Sequence, residues 1–286
     1  MRVALPPHLV EHAREFAEGR RTPAEPRDAA TVVLMRPAPH GAAGPDVYLL
    51  RRQTSMAFAG GMCVFPGGGV DRRDFDHAVA WSGPAPETWA EQLLTSAEMA
   101  RALVCAAVRE TFEESGVLLA GPSASEVVAD TTGEDWEADR QALEARKLSL
   151  TSFLERRGLV LRSDLLGAWA AWCTPEFEPR RFRTWFFVAD LPAGQRTRDV
   201  SSESSSVTWM PALAACNAVD SHQLGMMPPT YVTCLEVGQY ADPAAVLAAA
   251  DGRDLTMFTP AIEGEDGAAT MSVPSRVVSL LEARGA

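Results

Sequence analysis

One stretch limits what this chain can become more than any other: residues 98–115, closed by Gly116. Apolar residues return there at helical spacing, and Gly116 stands just past the last turn, where a left-handed residue ends a helix. At about 100° per residue, Val104, Val108, Phe112 and Ser115 share a narrow, mostly apolar arc. Glu110, Glu113 and Glu114 gather roughly opposite, at relative positions i, i+3 and i+4. Around this one strong helix the chain reads as short strands mixed with further helical stretches. That pattern predicts an α/β sandwich with a mixed sheet rather than a regular βαβ repeat.

The spacing predicts strands at 29–35, 46–51, 62–65, 117–119, 168–173, 182–189 and 206–210. Helices are expected at 9–18, 136–148, 150–157, 212–219, 230–240 and 243–250, followed by an irregular tail. The run Phe65-Pro66-Gly67-Gly68-Gly69 reads as the end of a strand passing into a loop that uses glycine's freedom of φ and ψ. Residues 75–97, with Pro84, Pro86 and two tryptophans, and residues 121–163, mostly helical, read as insertions.

Composition removes several function classes. A hydrophobic content of 47% with 22% charged residues is that of a globular core. No stretch reaches the roughly 18 apolar residues of a membrane span. The first residues lack a signal-peptide pattern and the last four lack a peroxisomal tripeptide or lipidation box, so a cytoplasmic location is expected. Cys63, Cys105, Cys173, Cys216 and Cys234 form no C-x-x-C pair and read as reduced, mostly buried thiols. His8 and His12 have helical metal spacing but no third ligand. The net charge of −12 argues against a surface that coats nucleic acid. An acidic protein acting on phosphates has to concentrate positive charge locally, through bound cations and well-placed arginines. Lys147 is the only lysine, so arginine must fill that role.

Three carboxylates one helical turn apart repel one another by a few tenths of a kcal/mol per pair even in water. A hard divalent cation turns that repulsion into binding, and Mg²⁺ takes two or three carboxylates together with substrate phosphate oxygens. A plain solvated face is the other reading of the same residues. The wider pattern decides between them. Arg109-Glu110, Glu113-Glu114 and Gly116 fill five fixed positions of R-E-U-x-E-E-x-G-U, where U is bulky and apolar, with Val117 at the last U and Thr111 at the first. Five specified residues coincide by chance on the order of once in a few million positions. The segment resembles the Nudix box, and Phe65-Pro66-Gly67-Gly68 resembles its strand-to-loop entry.

The resemblance implies a Nudix α/β/α sandwich over residues 1–286, with a core at about 25–215 and a helical C-terminal extension at about 216–286. It implies Glu110, Glu113 and Glu114 as ligands of Mg²⁺, with Mn²⁺ an alternative, and Arg109 as the residue that orients one of those carboxylates. Gly67 and Gly68 would line the substrate. Two features depart from the family. Asp74 stands where a Glu is usual, and thirty-four residues, 75–108, separate it from Arg109 where seven are usual. Such an oversized box, together with Thr174-Pro175-Glu176 and Arg180-Arg181-Phe182, resembles the coenzyme A diphosphatases of the peroxisomal type. Arg52 and Gly61 match part of a second coenzyme A signature, in which Ala57 replaces an Arg.

Two readings of residues 180–187 stand. Arg180, Arg181 and Arg183 bind a phosphate while Phe182, Trp185, Phe186 and Phe187 pack an adenine, or the segment is a core strand with a basic start. Glu203 lies in a Ser-rich loop before a strand, of the kind from which the family often draws an extra metal ligand or general base; a plain loop Glu is the other reading, and Glu176 and Glu178 are fallbacks. The expected activity is Mg²⁺-dependent cleavage of the diphosphate in coenzyme A or acyl-CoA, with a small-molecule nucleotide as the only partner. The rivals are an ADP-ribose or nucleotide-sugar hydrolase and a Nudix-fold binding module without turnover. The sequence leaves oligomeric state open, a homodimer included.

Overall fold

A computed structural model describes residues 7–39, 44–56, 59–264 and 269–285. Ala57 and the side chain of His8 lie outside the described residues.

The central sheet is laid on β1 (Arg27–Pro37), an 11-residue strand. Its parallel neighbour is β9 (Phe182–Asp190), with Arg27 opposite Phe182 and Met35 opposite Asp190. On β1's other side lie β2 (Pro45–Arg52) and the short β4 (Gly67–Gly69), both antiparallel. β3 (Cys63–Val64) and β10 (Ser204–Pro211) extend the sheet from β2, and β8 (Gly167–Cys173) closes it beyond β9. Alternate residues of β1 go to opposite faces: Ala30, Val32 and Leu34 to one core, Val33 and Met35 to the other. A strand buried on both sides reads as one apolar run, which is why 29–35 shows no polar alternation.

The first face carries α2 (Pro86–Leu93) and α3 (Ala97–Ser115), and the second carries α6 (Ala212–Asp220), α7 (Pro228–Val237) and α8 (Pro243–Ala250). This is the expected α/β/α arrangement. Local chemistry sets the ends of α3. Ser96 Oγ accepts from the Met99 amide at 3.2 Å, Glu98 lies in the first turn, and Gly116 terminates the helix at φ +74°. A Cβ on Gly116 would also run into the Arg198 guanidinium.

The insertions form structure of their own. β5 (Trp81–Ser82) from the first pairs in parallel with β7 (Val160–Arg162) from the second, and β6 (Ala120–Gly121) pairs with β7 on the other side. α4 (Glu134–Glu144) and α5 (Leu150–Arg157) then cover the outer side of α3. Phe112 stacks on Phe153 at 5.3 Å, and Trp136 meets Phe153 edge-on at 6.1 Å. Removing that ring with Phe153→Ala would open a cavity and cost about 3–5 kcal/mol. Past its first turn α3 is therefore buried nearly all round, with Glu113 and Glu114 buried and Glu110 partly so, and its acidic side is not a solvated face.

Three expectations need correction. Residues 117–119 are not a strand, because both backbone groups of Leu118 bond to the Gln195 side-chain amide, each at 2.8 Å. Gly67–Gly69 form β4 rather than a loop, and none of the three has a positive φ. The tail is ordered in part, with a hairpin of β11 (Ile262–Glu263) and β12 (Thr270–Met271) and a last helix, α9 (Val278–Glu282). α1 (Pro7–Ala17) precedes the sheet. All five cysteines are free and buried. Among the described residues no helix is long and apolar enough to cross a membrane.

Candidate active site

Three elements meet at the C-terminal half of α3: β4, the 3₁₀ turn Arg72–Phe75, and the helix itself. Gly67 and Gly68 are required by closeness rather than by φ. A Cβ on Gly67 would strike Thr31 and the Ala30 carbonyl of β1, and one on Gly68 would strike the Glu110 carboxylate. With no side chains in the way, β4 lies directly against the acidic side of α3. The Gly67 amide donates to Glu114 Oε2 at 2.8 Å.

Arg109, only 6% exposed, organises the rest. Its Nε and Nη2 grip the two carboxylate oxygens of Asp74, each at 2.9 Å, and Nη2 also donates to the Gly69 carbonyl at 3.1 Å. Nη1 donates to Glu110 Oε1 at 2.7 Å and to Glu113 Oε1 at 3.3 Å. Asp74 is itself buried and accepts from the Asp71 amide at 2.7 Å. The long excursion between Asp74 and Arg109 thus returns to close a bidentate ion pair. Its extra length is taken up by β5, α2 and the turns of α3 ahead of Arg109.

One guanidinium does not balance these acids. Burial raises the pKa of Glu110, against the pull of Arg109. Burial and then the charge of Glu110 push Glu113 up to about 7. Glu114 is raised well above the usual carboxylate range by burial and Glu110, with the Gly67 amide opposing. Arg109 is raised as well: burial alone would lower it, but the Asp74 hydrogen bonds and the surrounding carboxylates hold it firmly charged.

Among the described residues no three His, Cys, Asp or Glu side chains already form a group that could hold a metal ion. The contacts explain this, since Arg109 Nη1 bridges Glu110 and Glu113 while Glu114 is turned onto Gly67. By chemistry the residues fit a hard divalent cation well. They are oxygen donors only, and they are desolvated and crowded together, so a cation would relieve both burial and mutual repulsion.

Glu203 and Arg52 are brought to this cluster. The charge of Glu203 acts on Glu110 and Glu114, and that of Arg52 acts on Glu114. The two side chains pair at 3.0 Å, with Arg52 partly buried and Glu203 half exposed. Arg181 is not brought there: its guanidinium bonds the Thr174 and Ala24 carbonyls at 3.1 and 3.0 Å. Arg180 is exposed in the turn beside it, and Arg183 pairs with Asp28 at 2.7 Å. Trp185, Phe186 and Phe187 lie in the two cores, so the core-strand reading describes that segment. Glu176 is exposed in the turn ahead of β9. His12 approaches Glu15 at 3.9 Å.

Sequence reasoning missed Arg140 and Arg198, which bind the end of α3. The one available signal was Arg140 standing three and four residues from Glu137 and Glu144, which reads equally as a surface ion-pair ladder.

The family described as the NUDT19 Nudix domain matches residues 86–236, more than half of the chain. The chain belongs to that family. The match takes in the carboxylate helix, the 121–163 insertion and Glu203, whereas β4 and Asp74 lie ahead of it and join the site by geometry. Acyl-coenzyme A diphosphatase NUDT19 of Xenopus laevis is 26% identical over 219 residues, covering 65% of this chain and 58% of that protein. A Caenorhabditis elegans relative is 26% identical over 201 residues, covering 68% of this chain and 57% of its own length. This Nudix chain thus spans little more than half the length of these curated relatives. The crystal structure of a NUDIX hydrolase from Alicyclobacillus acidocaldarius superposes with a TM-score of 0.68 at 24% identity, covering 79% of this chain and 96% of that one. That likeness shows the fold.

Proposed function

We propose that this Nudix protein hydrolyses the diphosphate linkage of coenzyme A or an acyl-CoA, giving a phosphopantetheine product and adenosine 3′,5′-bisphosphate. The observation that carries the reading is the desolvated carboxylate trio of the Nudix helix, with Glu110 and Glu113 sharing the Arg109 guanidinium and Glu114 held by the Gly67 amide. In this reading the trio holds Mg²⁺, with Mn²⁺ able to replace it, and the ion supplies Lewis-acid stabilisation of charge on the phosphoryl oxygens. Arg109, fixed by Asp74, keeps Glu110 and Glu113 in place. Glu203 takes the proton of the attacking water, a role supported by its exposure and by its charge acting on Glu110 and Glu114. Arg52 offers positive charge for substrate phosphate beside Glu203. The coenzyme A assignment is supported by the activity named for the Xenopus relative and by the partial upstream signature at Arg52 and Gly61.

The test is product analysis with Mg²⁺ and, in parallel, coenzyme A, ADP-ribose and NADH. Adenosine 3′,5′-bisphosphate from coenzyme A at the highest kcat/KM is the expected result. Faster cleavage of ADP-ribose would move the substrate to nucleotide-sugars. No turnover of any of the three would leave a binding module.

A further inference from the structure

The last carbonyls of a helix have no partner within it. At α3 those partners come from the second insertion and from the loop ahead of β10. Arg140 of α4, 3% exposed, donates Nη1 to the Glu113 carbonyl at 2.6 Å. Thr131 Oγ1 donates to the Gly116 carbonyl at 2.6 Å, and the Arg198 amide donates to the Ser115 carbonyl at 2.9 Å. Guanidinium groups at this end also complement the helix dipole.

The same Arg140 guanidinium is held between two acids of its own helix. Nε donates to Glu137 at 3.0 Å and Nη1 to Glu144 at 3.0 Å. Each acid reaches on to the loop that carries Glu203. Glu137 Oε2 accepts from Arg198 Nη1 at 2.7 Å, and Glu144 Oε1 accepts from the Ser202 amide at 3.1 Å and hydroxyl at 2.6 Å. From the other side, Gln53 donates to the Ser202 carbonyl at 2.8 Å and the Glu203 carbonyl at 3.0 Å. Residues 195–203 have no helix or strand of their own, so bonds to neighbouring elements fix the loop: these at Ser202 and Glu203, together with Arg52 on Glu203 and Gln195, Tyr48 and Trp209 nearer its start.

We propose that α4 is a clamp in which Arg140 and Glu144 are positioning residues, setting where Glu203 stands relative to the carboxylates of α3. The bond path runs without a gap from the Glu113 carbonyl through Arg140 and Glu144 to Ser202, next to Glu203. Arg140 touches α3 at the Glu113 carbonyl, whereas Glu144 touches Arg140 and the loop. An insertion into the helix-and-loop scaffold thereby joins its two halves. The clamp's effect on turnover rests on the reading of Glu203 given above, whereas its effect on loop order does not.

Glu144→Ala is the informative variant, since it frees the loop without exposing the Glu113 carbonyl or unpairing Arg140 from Glu137. Hydrogen exchange at the Ser202–Glu203 segment should speed up about tenfold while the amides of α3 keep their protection. In turnover, kcat should fall about tenfold with KM within about twofold, and the same change in a Glu203→Gln background should cost nothing more. Unchanged exchange overturns the clamp. So do losses that simply multiply in the double variant, because they would mean Glu144 does not act through Glu203. If the wild type cleaves no diphosphate, the exchange result alone decides the clamp, and the failure belongs to the reading of the site.

Discussion

Two buried arginines meet at Glu113, Arg109 of α3 itself at the side chain and Arg140 of α4 at the carbonyl, and their surroundings are opposite. Arg109 faces Asp74, Glu110 and Glu113, with Glu114 close by, and the pKa values of the three glutamates are raised. Arg140 faces Glu137 and Glu144, and there Glu137 is pulled down to about 2 and Glu144 is also lowered. The difference lies in hydration and hydrogen-bond count. Glu137 and Glu144 keep about a quarter of their surface in water and receive further donors from Gln141, Arg198 and Ser202. The Arg109 acids are desolvated and outnumber their donors. The first group is a satisfied structural network and the second is short of positive charge, which is the property a cation site needs.

The largest effect that would break this contrast is catalytic. Glu113→Gln or Glu114→Gln should lower kcat at least about a hundredfold, and differential scanning calorimetry without metal should show Tm unchanged or raised. Near-wild-type turnover in either variant would remove the assignment. Asp74→Asn comes next. It leaves Arg109 with an uncharged partner in a buried pair, so urea unfolding should show a loss of about 2–3 kcal/mol. The Mg²⁺ concentration for half-maximal rate should rise several-fold. In the other group, Glu137→Gln should cost under about 1 kcal/mol and leave the Mg²⁺ titration unchanged.

A pH experiment sharpens the same point. Glu113 has its folded pKa at about 7, above the ordinary glutamate value of 4.5, so the folded state binds the extra proton between those values. The stability this contributes is present at low pH and is lost as pH rises through about 7. Metal-free protein should therefore lose about 2 kcal/mol of stability from pH 5 to pH 7, measured by urea unfolding. Glu113→Gln should reduce that slope, leaving the part that the raised Glu110 and Glu114 contribute with the same sign. Glu137, with its pKa lowered, works with the opposite sign and only below about pH 4.5, outside the window.

Much of the site's helix was legible before any coordinates. Gly116 marks its end and the five box residues mark its chemistry, whereas the Ser96 cap two residues ahead of the expected start came only with the structure. The strands came through with small shifts at their ends, because β-branched and aromatic runs between turns constrain them locally. What stayed hidden depended on partners far along the chain. Residues 117–119 have a strand's apolar composition, but a glutamine side chain takes the backbone bonds of Leu118. The joining of the two insertions through β5 and β7 rests on two-residue strands with no periodicity to read. Asp74 looked displaced by the excursion that follows it, since loop length says nothing about where a loop returns. Arg181 looked free to bind phosphate, yet its bonds go to backbone carbonyls.

Calorimetric titration of Mg²⁺ into the metal-free protein at pH 7.5, without substrate, measures the charge deficit itself. Wild-type protein should bind saturably, because the cation supplies positive charge that Arg109 alone does not give these carboxylates. Glu113→Gln and Glu114→Gln should each weaken binding at least about tenfold, and Glu137→Gln should leave it unchanged. Absence of saturable binding, or binding that all three variants share with the wild type, would contradict the assignment of the Arg109 cluster as the cation site.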